Sequence, residues 1–366
     1  MRGSPFYEPR AVASVLRTVE RFRSLCPSAT TSLRFQAPSV GAGRGATLAF
    51  GFQGIRRLIH MLRGLCIDDK YRLEELLGEG GMGSVYRAVQ LRLDRKLAVK
   101  VLRHDVESSP AAVDRLRREA LAVSRLRHPN IVSVVDFGVS ADIGAFIVFE
   151  YLDGRSLASE LDESGRMSAD EAIELLLPVC RAIGAAHDAG VVHRDLKPAN
   201  LFVIEPPEGR TLKVLDFGIS TLQGAHADDL AGNEGAVVGT PLYMSPEQCD
   251  GLAADSRSDV YALGCVLYEM LTGRPPFVAE SVAGVLQRQR TQEVRRPSFL
   301  ASDVPSWLDV VLLRALAKKP DDRYPSANEL AEALETANGS APIPSADRDL
   351  ARPSLPVEAV PRTNLP

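Results

Sequence analysis

Residues 78 to 83 read Gly78-Glu79-Gly80-Gly81-Met82-Gly83, a G-x-G-x-x-G pattern whose neighbours restrict the fold more than any other feature of the chain. Glycines without side chains let backbone N–H groups come close to phosphate oxygens. In a dinucleotide-binding fold such a loop leads from a strand into a helix, with an acid about twenty residues on. Here it follows the strand-like run 71–77 and is followed by Ser84-Val85-Tyr86-Arg87-Ala88-Val89, again a strand pattern. The glycines therefore belong to a β-hairpin, and hydride chemistry on a nicotinamide is excluded for want of the helix. The next run, Leu97-Ala98-Val99-Lys100, ends on one cation beneath the loop. That lysine either grips α and β phosphates or stands as an ordinary surface residue.

Further strand-like runs at 96–102, 131–137 and 145–151, interrupted by one helical stretch from Pro110 to Leu126, make a small strand-rich unit. Ser109 before Pro110 marks the helix start: an N-cap, then a proline at a position whose missing N–H costs nothing. From about residue 156 the periodicity is helical, over 168–189, 257–272, 280–289, 305–318 and 326–337, with long loops between 191 and 255. The second unit is larger and mainly α.

With 366 residues, 45% hydrophobic and 25% charged, the chain buries a sizeable core, which excludes a wholly disordered or fibrous protein. A net charge of -4 shows no field built for nucleic acid, and no nucleic-acid partner is expected. No apolar run reaches the roughly 18 to 20 residues of a membrane span, so no transmembrane segment is expected and the protein reads as soluble. Cys26, Cys66, Cys180, Cys249 and Cys265 show neither C-x-x-C nor Cys/His ligand spacing and read as structural thiols of a reducing compartment.

The ends differ in composition from the middle. Residues 1–64 hold ten Arg, no Lys, and only Glu8 and Glu20 as acids, a balance of +8. This leader, 1–66 with its margin, reads as a poorly ordered extension or as translation begun upstream of Met61. An organelle transit peptide and a basic amphipathic helix on lipid, with its stripe from Ile55 to Leu65, are the other readings. Residues 338–366 are rich in Pro and small residues and are expected to be disordered.

Within the first helix, i, i+3, i+4, i+7 spacing puts Leu116, Glu119, Ala120 and Val123 on one face. A carboxylate on an apolar face calls for a partner cation, and Lys100 is the candidate; a solvated face is the alternative. His193-Arg194-Asp195-Leu196-Lys197-Pro198-Ala199-Asn200 supplies a carboxylate, a lysine and an amide in one loop, which Pro198 keeps out of helix. Asp216-Phe217-Gly218 follows, and later Gly239-Thr240-Pro241-Leu242-Tyr243-Met244-Ser245-Pro246-Glu247-Gln248. In order and spacing, the chain from residue 71 to about 337 resembles protein kinases of the serine/threonine class, its last motif most like the bacterial, Hanks-type branch.

The resemblance implies an α+β, two-lobed kinase fold over 67–337, with a strand-rich lobe 71–152 and a helical lobe 153–337. It implies transfer of the ATP γ-phosphoryl group to Ser or Thr hydroxyls of proteins, with Mg²⁺ or Mn²⁺ as cofactor. Carried onto this sequence, Asp195 orients the attacking hydroxyl, Lys197 stabilises the phosphoryl group in flight, and Asn200 and Asp216 hold the metal. Lys197 and Thr240 match the serine/threonine rather than the tyrosine class, and Thr240 joins the catalytic set. Lys100 and Glu119 position ATP under the loop Gly78 to Gly83. Glu150 and Leu152 meet adenine through their backbone, while Leu77, Val85, Ala98 and Phe202 wall the base and Phe149 lies behind it. His193 packs under Phe217, Glu247 pairs with Arg323, and Asp259 ties the catalytic-loop backbone. The rival reading is a dead pseudokinase scaffold, but its usual marks, loss of the lysine, the catalytic Asp or the metal Asp, are missing. Many relatives of this branch continue into a membrane helix; this chain is expected to be a cytoplasmic form with a regulatory partner at its termini. Glu234, in an activation loop without Ser or Thr between Thr221 and Thr240, is read either as a built-in substitute for a phosphate or as a solvated residue of a segment that a partner orders.

Overall fold

Alternation with a period of two builds a six-stranded antiparallel sheet from the first part of the chain. The computed structural model describes residues 62–80, 83–102, 110–140, 143–207, 209–217 and 241–339. In it β1 (Cys66–Ile67), β2 (Tyr71–Gly80), β3 (Gly83–Gln90), β4 (Arg95–Leu102), β5 (Val134–Ser140) and β6 (Gly144–Glu150) pair in the order β1-β2-β3-β4-β6-β5. Residues two apart share a face. Tyr71, Leu73, Tyr86, Ala88, Leu97 and Val99 accordingly bury one face, packed with Phe146 and Val148. Tyr71 stands edge-on to Phe146 and donates its hydroxyl hydrogen to Asp136 at 2.8 Å, tying β2 to β5 across that core. Leu62 and Leu65 pack against the same core, and the Leu73 N–H donates to the Leu65 carbonyl. α1 (Pro110–Ser124) starts at the expected proline and buries Ala120 and Val123.

Contacts divide the chain into two compact units, one of residues up to 127 with 132–152, the other of 128–131 with 153 onward. The small excursion 128–131 explains why β5 starts at Val134 rather than at the expected 131. The Asn130 carbonyl accepts from Val214 N–H at 2.8 Å, and Ile131 bridges Val214 in parallel register, so neither is available to the larger sheet.

The second unit contains α2 (Leu157–Ser164), α3 (Ala169–Asp188), α4 (Pro246–Cys249), α5 (Ser256–Thr272), α6 (Val282–Thr291), α7 (Ser306–Ala315) and α8 (Ala327–Gly339). A three-stranded sheet, β7 (Gly154–Ser156), β8 (Leu201–Ile204) and β9 (Thr211–Val214), completes it in that order. α5 is buried nearly all round, as expected of a helix whose apolar residues do not keep to one stripe. It ends at Gly273, whose φ of +74° is the left-handed conformation that glycine takes without steric cost. Where long loops are expected between 191 and 255, the chain instead folds the β8–β9 hairpin and α4. Four-residue elements carry too little periodicity to be seen before their partners are known. The leader to Met61, the tail from 340, Gly81, Met82, Glu234 and Thr240 lie outside the described residues, as does the Glu119 side chain.

Candidate active site

In the first unit the glycine hairpin is present as β2 and β3. Gly78, Glu79 and Gly80 pair with Val85, Ser84 and Gly83. The φ of Gly83 is +150°, and a Cβ there would stand 2.0 Å from the Val101 carbonyl oxygen, so only glycine lets β3 run this close to β4. At Gly78 and Gly80 a Cβ would meet nothing within 4 Å, so these glycines leave open space rather than fill a packing need. Leu77, Gly78, Glu79 and Gly80 are all exposed.

Opposite the core face of this sheet, register assembles a second row. Val85 pairs with Lys100 across β3 and β4, while Ala98 pairs with Phe149 and Lys100 with Ile147 across β4 and β6. Val85, Ala98 and Lys100 thus share one face with Ile147 and Phe149: an apolar wall with a buried cation, Lys100 being 5% exposed, while Arg87, opposite Ala98 on that face, pairs with Glu74 and Glu75. At the end of β6, the Glu150 N–H donates to the Ser133 carbonyl, and the Glu150 carboxylate accepts from Ser133 N–H at 2.9 Å. Leu152, half-buried, is the last residue of the unit.

The second unit brings the remaining polar residues together. Lys197 Nζ donates to both carboxylate oxygens of Asp195, at 3.1 and 2.9 Å. Asn200 Nδ2 donates to the Asp195 carbonyl at 2.7 Å and to Asp195 Oδ2 at 3.1 Å. Those bonds orient the Asn200 amide with its oxygen turned away from Asp195. The Leu215 N–H donates to the Asn200 carbonyl at 2.8 Å, extending the β8–β9 register in which Leu201 faces Val214. The hairpin thereby sets Leu215 opposite Asn200, one residue before Asp216. A carboxylate and an amide oxygen are hard donors, and a pair of them fits Mg²⁺, which takes few protein ligands beside phosphates and water. Among the described residues, no cluster of three His, Cys, Asp or Glu offers another metal site. Phe202 lies on β8 of this unit, half-buried and paired with Lys213 and Ser156.

The loop that carries Asp195 is held by its backbone. Asp259, buried on α5, accepts from His193 N–H and Arg194 N–H, both at 2.8 Å, and its Oδ2 also meets His187 Nε2 on α3 at 2.7 Å. The Arg194 carbonyl accepts from Gln248 Nε2 at 2.8 Å. With N–H and carbonyl both engaged, Arg194 is kept at a φ of +66°, and Asp216 stands at +53°. Non-glycine residues in this region persist only where their surroundings over-determine them, and such strain gathers at functional sites. His193 packs its ring 4.8 Å from Phe217, donates from Nε2 to the Leu215 carbonyl at 2.8 Å, and has no exposed surface.

Behind this loop Arg323 and Glu247 form a bidentate pair at 2.8 Å in both arms, with Arg323 fully buried. The other guanidinium hydrogens go to the carbonyls of Ala317, Arg257 and Lys318, and Ser258 Oγ donates to Glu247 at 2.6 Å. Burial alone would raise the Glu247 carboxyl; the hydrogen bonds from Arg323 and Ser258 bring it down to about 2.

The pairings of Asp259 and of Glu247 with Arg323, and the packing of His193, are as expected. His187, Gln248 and Asn130 were not singled out. Asn130 Nδ2 donates to the Leu212 carbonyl and to Thr211 Oγ1, which steadies β9 a few residues before Asp216. Gln248 and Asn130 each bind a backbone group far away in sequence, and His187 a distant carboxylate, which leaves no local pattern.

A protein kinase domain family matches residues 71–334. The chain belongs to the protein kinase family and has its two-lobed α+β fold. Serine/threonine-protein kinase PknB of Mycolicibacterium smegmatis is 42% identical over 294 residues, 79% of this chain and 46% of that protein. Serine/threonine-protein kinase pkn3 of Myxococcus xanthus is 41% identical over 304 residues, 80% of this chain and 55% of that one. The crystal structure of the Mycobacterium tuberculosis PknI kinase domain is similar with a TM-score of 0.60 at 28% identity, covering 75% of this chain and 98% of that one. Within the family, the chain falls in the bacterial serine/threonine branch. It spans about half the length of the curated relatives it matches.

Proposed function

We propose that this protein kinase transfers the γ-phosphoryl group of ATP to Ser and Thr hydroxyls of proteins. The observation that carries the reading is the bonded cluster Asp195, Lys197 and Asn200, hung by its backbone from Asp259, with Asp216 next to the Leu215 that bonds Asn200. Asp195 accepts and orients the attacking hydroxyl, and Lys197 offsets charge on the group in transfer. Asn200 and Asp216 hold Mg²⁺, which when bound neutralises phosphate charge. Lys100, paired with Glu119, grips the α and β phosphates beneath the backbone of Gly78 to Gly83, with Glu79, Gly81 and Met82 as the loop between. Val85, Ala98 and Leu77 wall the adenine, and Glu150 and Leu152 meet its edge through their backbone. Thr240 completes the catalytic set. Most of the acceleration comes from alignment and charge neutralisation.

The same reading places the reaction in the cytoplasm, where ATP is supplied and thiols stay reduced; Cys180, Cys249 and Cys265 are free and buried. It leaves the termini to a regulatory partner. The test is phosphorylation of a generic basic protein by purified chain with ATP and Mg²⁺. Lys100→Met, Asp195→Asn and Asp216→Asn should each nearly abolish transfer, Asp195→Asn while still binding ATP. Transfer to tyrosine alone, or full activity in Asp216→Asn, sinks the reading.

A further inference from the structure

We propose that Gln289 is a positioning residue for the acceptor protein: its buried amide sets the path of the Pro241-Leu242 backbone that follows Thr240. The proposal rests on the kinase reading above. Gln289 lies on α6 with no exposed surface. A buried primary amide is costly unless its two N–H groups and its oxygen are all paired. Here they are. Gln289 Nε2 donates to the Pro241 carbonyl at 3.1 Å and to the Leu242 carbonyl at 2.7 Å, and Tyr261 on α5 donates its hydroxyl hydrogen to Gln289 Oε1 at 2.5 Å. Turning the amide over would set its oxygen against two carbonyls, so the Tyr261 hydroxyl and the two acceptors fix one orientation. The Gln289 carbonyl in turn accepts from Lys318 Nζ at 2.8 Å, and that ammonium sits 3.8 Å from the centre of the Phe277 ring.

The segment held this way runs on to Gln248, which is tied to the loop of Asp195. Residues 241–243 form a 3-10 turn whose Tyr243 hydroxyl donates to Glu269 Oε2 at 2.6 Å. Five residues further on, Gln248 holds the carbonyl of Arg194, the residue before Asp195. That tie makes the segment the track we assign to a polypeptide that presents a hydroxyl to Asp195. α5 supplies Asp259 to the catalytic loop, Glu269 to Tyr243 and Tyr261 to Gln289, so one buried helix references both the loop and the acceptor track. Gln289 is the only link in that set whose side chain holds two backbone carbonyls of the track, among the described residues.

The test is steady-state transfer by the full chain to myelin basic protein, with ATP and protein varied separately, for wild type, Gln289→Leu and Tyr261→Phe. Gln289→Leu removes both donors at similar volume and should raise KM for the protein about tenfold, with KM for ATP within about twofold. Tyr261→Phe leaves the donors but strips the buried Oε1 of its partner and so loosens the amide, and should raise the protein KM about two- to threefold. An unchanged protein KM in both variants overturns the proposal, and so does an equal rise in both KM values, the mark of a generally loosened fold. If a thermal melt shows that Gln289→Leu does not fold, Tyr261→Phe decides by the same two criteria. Wild type without any Ser/Thr transfer overturns the kinase reading and the proposal together; failure confined to the variants of an active wild type overturns the proposal alone.

Discussion

In the first unit the glycine-bearing strand end, Leu77 to Gly80, stands exposed above a core of alternating apolar side chains. In the second, the residues offered to the reaction hang from buried polar groups: Asp259, His193, Asn200, and Glu247 with Arg323. The difference is one of cost. Exposed backbone can be lost from a site with little effect on folding, whereas a buried charge deprived of its partner destabilises the whole unit. Variants of the buried polar partners in the second unit should therefore lose stability and activity together, and variants of the exposed strand ends in the first should lose nucleotide binding alone.

The largest expected effect is that of Arg323→Ala. It strands the buried Glu247 carboxylate and frees three carbonyls, and should lower stability by about 3 to 5 kcal/mol, visible as a melting temperature lower by roughly 10 °C. Arg323→Lys should recover only part, since an ammonium cannot hold the bidentate geometry. A loss below about 1 kcal/mol would erase the contrast between the units.

Acid should act through the same pair. The folded Glu247 carboxyl titrates at about 2 against 4.5 when unfolded. Because its folded pKa is depressed, the stabilisation is fully present above the unfolded value and is lost as the pH falls toward about 2, up to about 3 kcal/mol in all. Denaturant titrations between pH 6 and pH 3 should show this slope in wild type and a shallower one in Glu247→Gln.

A smaller effect on stability, but a clear one on rate, is expected for Asp259→Asn. The amide keeps the shape and loses the charge that holds two backbone N–H groups and His187, so kcat should fall about a hundredfold while ATP affinity is kept. Equal losses in ATP affinity and kcat would show that the loop is not what Asp259 holds.

In the first unit, Gly80→Ala meets open space and should leave the melting temperature within about 1 °C while raising KM for ATP several-fold. Gly83→Ala, driven against the Val101 carbonyl, should instead unfold at lower temperature. If Gly80→Ala also melts early, the glycine serves packing rather than phosphate. The smallest effect belongs to a chain begun at Met61: Leu62 and Leu65, which pack on the sheet core, are kept, so specific activity and melting should match the full chain.

Much of this was legible before any coordinates. Hairpin, helix start and polar loop follow from Gly78 to Gly83, Ser109-Pro110 and His193 to Asn200, because glycine, proline and alternation act within a few residues. Short elements escaped, as with β8, β9 and α4, and β5 shifted because Asn130 and Ile131 pair with β9 instead. The sequence by itself determined which reactive groups the chain carries and in what order, since these depend on side-chain chemistry and local backbone preference. Only the tertiary structure decided how they are held from further away: that Gln248 takes the Arg194 carbonyl, that Asn130 takes the Leu212 carbonyl, and that Gln289 takes two carbonyls after Thr240. A buried polar group must find its partners wherever the fold brings them, and pairs more than forty residues apart leave no period in the sequence to read.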